Sequence, residues 1–167
     1  ENFDELLELI RKYDAVLFLS QSIKSPHVDN NNARAALAEL SVSSELALKA
    51  REKNIQTVIE CGGFMRYDKI NNIVKTVREL SCNTPIYSDN IISTDIALGW
   101  ESVATAISYT NAILSGSKLV FAVQNSLDPG NSSTLKEGIV SARIAAHSAD
   151  IANNVKLQIN RNKNVVN

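Results

Sequence analysis

Ala15-Val16-Leu17-Phe18-Leu19 is an unbroken apolar run. A strand with one wet face alternates apolar and polar residues. A strand covered on both faces reads instead as a continuous apolar segment, the pattern of parallel sheets. Three more segments of this kind follow: Thr57-Val58-Ile59, the short Pro85-Ile86-Tyr87, and Leu119-Val120-Phe121-Ala122-Val123.

Helical patterns separate them. Between Asn2 and Lys12, residues Phe3, Leu6, Leu7 and Ile10 share one face. Ala33 to Lys53 is rich in alanine and leucine. Asp68 reads as the N-cap of a helix carrying Ile70, Ile73, Val74 and Val77, and Trp100 to Leu114 reads as the next helix. Thr134 and Glu137 have capping-box spacing for a last helix through Ile139, Ile144, Ala145 and Ala146 toward Ile151. Residues 155–167, rich in Asn and Lys, read as a loose C-terminal tail behind a single domain of residues 1–154.

Strands that alternate with helices imply βαβ units and a parallel α/β sheet with right-handed crossovers. Two architectures fit: a small open sheet with helices on both sides, or part of a TIM-type (β/α)8 barrel. A whole barrel typically takes about 250 residues, so about four strand-helix units make about half of one. In both, ligands bind at the carboxyl ends of the strands.

Composition narrows the function classes. The 167 residues are 44% apolar and 21% charged, an ordinary globular profile. A formal net charge of −1 lacks the clustered lysine and arginine that nucleic-acid phosphates require. The two cysteines, Cys61 and Cys82, are distant and form no C-x-x-C pair, so a reducing, cytoplasmic setting without disulfides is expected. No apolar run approaches the roughly 18 residues of a membrane span.

The strand ends carry the candidate chemistry. The first gives Ser20-Gln21-Ser22-Ile23-Lys24-Ser25-Pro26-His27, and the second Glu60-Cys61-Gly62-Gly63-Phe64. The third gives Tyr87-Ser88-Asp89-Asn90, and the fourth Gln124-Asn125-Ser126-Leu127-Asp128. Glu60 directly follows an apolar strand, where a carboxylate points into the mouth of the sheet and can bind a hydroxyl or an amine. Its plainer role is to accept hydrogen bonds from a neighbouring loop. Gly62-Gly63 reads as a tight turn. Tyr87 reads equally as a packed ring, His147 as a structural histidine in an alanine-rich helix, and His27 as a loop residue. No nucleophile elbow, P-loop or G-x-G-x-x-G is present. Two histidines and two distant cysteines assemble no metal site.

At these residues the chain resembles the phosphomethylpyrimidine synthase (ThiC) family. The family pattern Y-D-V-T-L-S-L-G-D-G-L-R-P-G resembles Tyr13 through Pro26, and E-G-P-G-H-V-P-M-H-K-I resembles Glu60 through Ile70. P-F-Y-T-L-G-P-L-T-T-D-I-A-P-G is similar to Pro85 through Gly99, with Tyr87, Thr94-Asp95-Ile96-Ala97 and Gly99 kept. K-E-G-V-I-A-Y-K-I-A-A-H-A-A-D-I-A is similar to Lys136 through Ala152.

The resemblance implies a barrel of which this chain supplies roughly the last four units. It implies a radical S-adenosylmethionine lyase of thiamine biosynthesis that rearranges aminoimidazole ribotide with the help of a [4Fe–4S] cluster. It places the contacts to a small phosphorylated nucleotide-like ligand at Glu60, Tyr87, Gln21 and Lys24. Gln21 and Lys24 replace the acid and the arginine of D-G-L-R, and lysine lacks the bidentate guanidinium fork. Phe64 replaces a metal-ligand histidine, a second such histidine has no counterpart near Ser126 to Asp128, and the C-x-x-C-x-x-x-x-C cluster motif is missing. The chain by itself is therefore expected to hold neither cluster nor metal. It reads either as part of such an enzyme or as a non-catalytic binding or scaffold paralogue. A half-barrel leaves edge strands and one sheet face uncovered, so pairing with a second copy or with the missing half is expected.

Overall fold

The computed structural model describes the backbone of residues 2–23, 33–64, 66–92, 100–120 and 133–165. Along the chain the elements are α1 (Phe3–Lys12), β1 (Leu17–Leu19), α2 (Ala33–Glu52), β2 (Thr57–Phe64), α3 (Tyr67–Leu80), β3 (Ile86–Ile92), α4 (Glu101–Ser115), β4 (Leu119–Val120) and α5 (Ser133–Val165). All three strand pairings are parallel, and the strands lie in the order β1-β2-β3-β4.

That order is consistent with the second of the two architectures. An open doubly wound sheet reverses direction partway, which puts helices on both faces. Here each strand is added beside its predecessor, as in consecutive units of a (β/α)8 barrel. The helices accordingly gather on one face. Residues paired across a parallel ladder share a face, so Leu19, Ile59 and Ile86 stand together, as do Cys61, Ser88 and Val120. This face meets Leu40 and Ala47 of α2, Ile70, Val74 and Val77 of α3, Tyr109 and Ala112 of α4, and Ala145 of α5 in one cluster. Each fully buried isoleucine or valine there contributes about 1.5–3 kcal/mol relative to an exposed one. Leu7 of α1 packs with Leu17, Ala50 and Ile55 in a smaller cluster.

The other face carries Phe18, Val58, Glu60, Tyr87 and Leu119. Its apolar members at the sheet margins are open, with Phe18 46% and Leu119 45% exposed.

Helices α1 to α4 end in the same way. The N–H groups of Ala15, Ile55, Asn83 and Ser117 donate to the carbonyls of Ile10, Ala50, Arg78 and Ala112, five residues back. The residue before each, namely Asp14, Asn54, Cys82 and Gly116, donates to a carbonyl three residues back and has φ of +49°, +59°, +50° and +112°. This is the Schellman lock, repeated at four helix-to-strand turns.

Several element boundaries differ from the sequence reading. Gly62 and Gly63 do not form a turn but lie inside β2, where Gly62 pairs with Asp89 before the register slips toward Phe64 and Ile92. The ladder to β3 overrides the weak strand preference of glycine. Asp68 is not the N-cap of α3: the cap is Arg66, and Asp68 sits in the first turn, paired with the Arg66 guanidinium at 3.0 Å. Helix α5 begins at Ser133, so Thr134 lies inside it and not at its cap. The same helix carries the backbone through residues 155–165, the stretch read as a tail. Residues 121–123 of the fourth apolar run lie outside the described residues.

Candidate functional site

Glu60 and Tyr87 are register partners on β2 and β3 and share the open face of the sheet. Gln21 follows the carboxyl end of β1 and reaches the same point. Its backbone N–H donates to Glu60 Oε2 at 3.3 Å, and its Oε1 accepts from the Gly62 N–H at 2.9 Å. Its Nε2 donates to the Ile23 carbonyl at 3.0 Å. Gln21 and Glu60 are both buried, each 6% exposed. Three of the four residues named from sequence are therefore linked, Glu60 to Tyr87 by register and to Gln21 by a hydrogen bond. Glu60 lies within β2 and Tyr87 near the start of β3, and of the three only Gln21 follows the end of its strand. The fourth, Lys24, lies outside the described residues, as do His27 and Ser126 to Asp128.

A second carboxylate supports this corner. Glu39, on α2, accepts from the Ser22 N–H at 2.7 Å and the Ile23 N–H at 2.8 Å, one through each oxygen. Charge-assisted bonds of this length are the strong class, and they fix the chain as it leaves β1. Glu39 has no sequence signal, because it stands in an alanine-rich helix and finds its partners 16 and 17 residues away. Phe18 was also missed as a site residue. Its ring meets the Tyr87 ring edge to face, with centroids 5.2 Å apart and planes at 68°.

Cys61 follows Glu60 but points to the helix side, in the core. Burial, with a smaller contribution from the Glu60 charge, pushes its thiol up to about 12. His147 is exposed on α5, far along the chain from this corner. A cavity of about 380 Å³ opens among Arg51, Thr57, Cys82 and Thr84. It lies where strands begin and is not the strand-end site.

The family model of the radical SAM ThiC family matches residues 1–167. The chain belongs to the radical SAM ThiC family. Phosphomethylpyrimidine synthase of Thermoanaerobacter pseudethanolicus is 35% identical over 158 residues, which cover 93% of this chain and 37% of that protein. The enzyme of the same name from Clostridium botulinum is also 35% identical, covering 93% and 36%. That from Caldanaerobacter subterraneus is 34% identical over 156 residues, covering 92% and 36%. The ThiC-family chain thus spans a little over a third of the length of these curated relatives.

A radical SAM family implies an iron–sulfur cluster, which is held by several cysteine thiolates. The residues of this ThiC-family chain do not fit one. Its two cysteines lie on different elements, and Cys61 is a buried thiol held in its protonated form, turned away from the strand-end face. Among the described residues no three His, Cys, Asp or Glu side chains form a metal-binding group. Among them, too, no helix is long and apolar enough to cross a membrane.

Proposed function

We propose that this chain is the substrate-binding half of a phosphomethylpyrimidine synthase-type barrel in thiamine biosynthesis. It binds aminoimidazole ribotide or a closely related phosphorylated ligand at the carboxyl ends of its strands. The observation that supports this reading is that Glu60 and Tyr87 are register partners on the open face of the sheet, with Glu60 bonded to Gln21 just beyond the end of β1. That is where (β/α) barrels place their ligands.

The roles follow from the side chains. Glu60 accepts a hydrogen bond from a polar group of the ligand, Tyr87 donates or accepts one through its phenol, and Lys24 supplies positive charge to phosphate. In this reading the cluster thiolates come from outside these 167 residues, and the open sheet face is closed by the remaining barrel units.

A second reading has its own support. Phe64 stands where the family pattern has a metal-ligand histidine, and Gln21 where it has an acid. A non-catalytic paralogue that kept small-molecule binding fits those facts. Finding a separate cluster-bearing chain that completes the activity would favour the enzyme.

Calorimetric titration of aminoimidazole ribotide into the chain and into Glu60→Ala tests the site. Losing a charged hydrogen bond costs about 1.5–3 kcal/mol, or roughly 10- to 100-fold in affinity. Micromolar binding weakened by that factor supports the assignment, and binding indifferent to the variant overturns it.

A further inference from the structure

Gln21 is described by the family resemblance as a ligand contact, yet it is 6% exposed and both polar atoms of its amide already make a bond within the protein. The side-chain Oε1 takes the Gly62 N–H at 2.9 Å, and Nε2 gives to the Ile23 carbonyl at 3.0 Å. This fixes the orientation of the amide, because the flipped form would set NH₂ against N–H and oxygen against oxygen. The backbone N–H of the same residue holds Glu60 Oε2. Ile23 is itself held from the other side, since its N–H donates to Glu39 Oε2 at 2.8 Å. One chain of bonds therefore runs from α2 through the end of β1 to Glu60 and Gly62 within β2.

We propose that Gln21 is a positioning residue that acts through Glu60, and not a residue that touches the ligand. Its backbone aims the Glu60 carboxylate. Its side chain pins Gly62, two residues beyond Glu60, to the segment that carries that backbone N–H. An amide of this length is required, because the site demands an acceptor for Gly62 and a donor for Ile23 at once. Methionine matches the length and offers neither. Glutamate keeps the acceptor, loses the donor, and brings a second carboxylate beside Glu60.

The proposal rests on Glu60 being a ligand contact, and the test separates the two claims. Without ligand, amide exchange at Gly62 and the NMR resonance of the Glu60 carboxyl carbon are measured in the parent, Gln21→Met and Gln21→Glu. Gln21→Met is expected to speed Gly62 exchange roughly tenfold or more, as for loss of a buried acceptor, and to move the Glu60 resonance. Gln21→Glu is expected to keep Gly62 protected. An unchanged Gly62 rate and Glu60 resonance in Gln21→Met would overturn the proposal.

With ligand, aminoimidazole ribotide affinity is measured for Gln21→Met, Glu60→Ala and the double variant. Gln21→Met is expected to weaken binding about tenfold in the parent and not at all in the Glu60→Ala background. Losses that add would mean Gln21 meets the ligand directly, which overturns the positioning role. If Glu60→Ala alone changes nothing, the substrate reading fails, and the ligand-free measurements still decide what Gln21 does.

Discussion

Phe18 of β1 and Tyr87 of β3 touch edge to face although β2 runs between their strands, with ring centroids 5.2 Å apart. Flat neighbouring strands lie about 4.8 Å apart, so alternate strands are separated by roughly twice that distance. Two rings meeting across it roof over β2. Barrel interiors pack in this way, in layers drawn from alternate strands. A double-mutant cycle on Phe18→Ala and Tyr87→Ala should show a coupling of about 0.5–1.5 kcal/mol in urea unfolding. Tyr87→Phe should keep that ring–ring coupling while weakening ligand binding, which separates the ring from its hydroxyl.

Cys61 makes stability sensitive to alkali. Its thiol ordinarily ionises at 9.0, and burial, then the Glu60 charge, pushes it up to about 12 in the folded chain. Between those values the unfolded chain releases a proton that the folded chain keeps, so unfolding is favoured as pH rises. The effect is absent well below pH 9, grows by about 1.4 kcal/mol per pH unit, and saturates above the folded value. Comparing urea unfolding at pH 8 and pH 10 should give about 1.4 kcal/mol more alkaline loss in the parent than in Cys61→Ala.

The two thiols should also differ in chemistry. Cys61 is fully buried and protonated, whereas Cys82 is exposed. Thiolate is the reacting form, so a thiol reagent at pH 8 should label one site quickly, at Cys82. Cys61 should label only on unfolding. Rapid labelling at both positions would contradict the placement of Cys61 in the core.

Gly116 caps α4 at φ +112°, a conformation that side chains rarely adopt, and an added Cβ would run into the Arg78 guanidinium. Gly116→Ala should cost about 1–3 kcal/mol in urea unfolding. Asn54→Gly, at φ +59°, should change stability by less than about 1 kcal/mol, because the relief of left-handed strain is offset by added freedom in the unfolded chain.

The open face carrying Phe18 and Leu119 should make the chain associate in solution. Sedimentation should show species larger than a monomer, and the pair Phe18→Asp and Leu119→Asp should shift the distribution toward monomer. A parent chain that sediments as a monomer at all concentrations would contradict this.

Much of the architecture was legible because parallel strands leave continuous apolar runs, as Leu17 to Leu19 and Thr57 to Ile59 do, although β1 proved covered on one face only, with Phe18 46% exposed. Glu60 was read as following its strand, whereas β2 runs on to Phe64 and holds Glu60 within the ladder, opposite Tyr87. The extension of β2 through Gly62 and Gly63 was not legible, since pairing with β3 and not local preference holds those residues. Neither was the bond network of Gln21, whose partners Glu60 and Gly62 are 39 and 41 residues away. The unbroken run gave no sign that Phe18 and Leu19 differ; only the packing of the helices against the Leu19 row shows that the Phe18 row is left bare.

The four identical helix endings also bear on how such a chain can change over time. Asp14, Asn54 and Gly116 are of the types that enter the left-handed region most readily and Cys82 is not, yet each closes its helix with the same pair of backbone bonds. Closure by main-chain atoms lets aspartate, asparagine or cysteine serve where φ is +49° to +59°, whereas the joint at φ +112° keeps glycine. Such joints are natural seams for recombination. A gene could be split or rejoined there, unit by unit, without the neighbouring units having to be rebuilt.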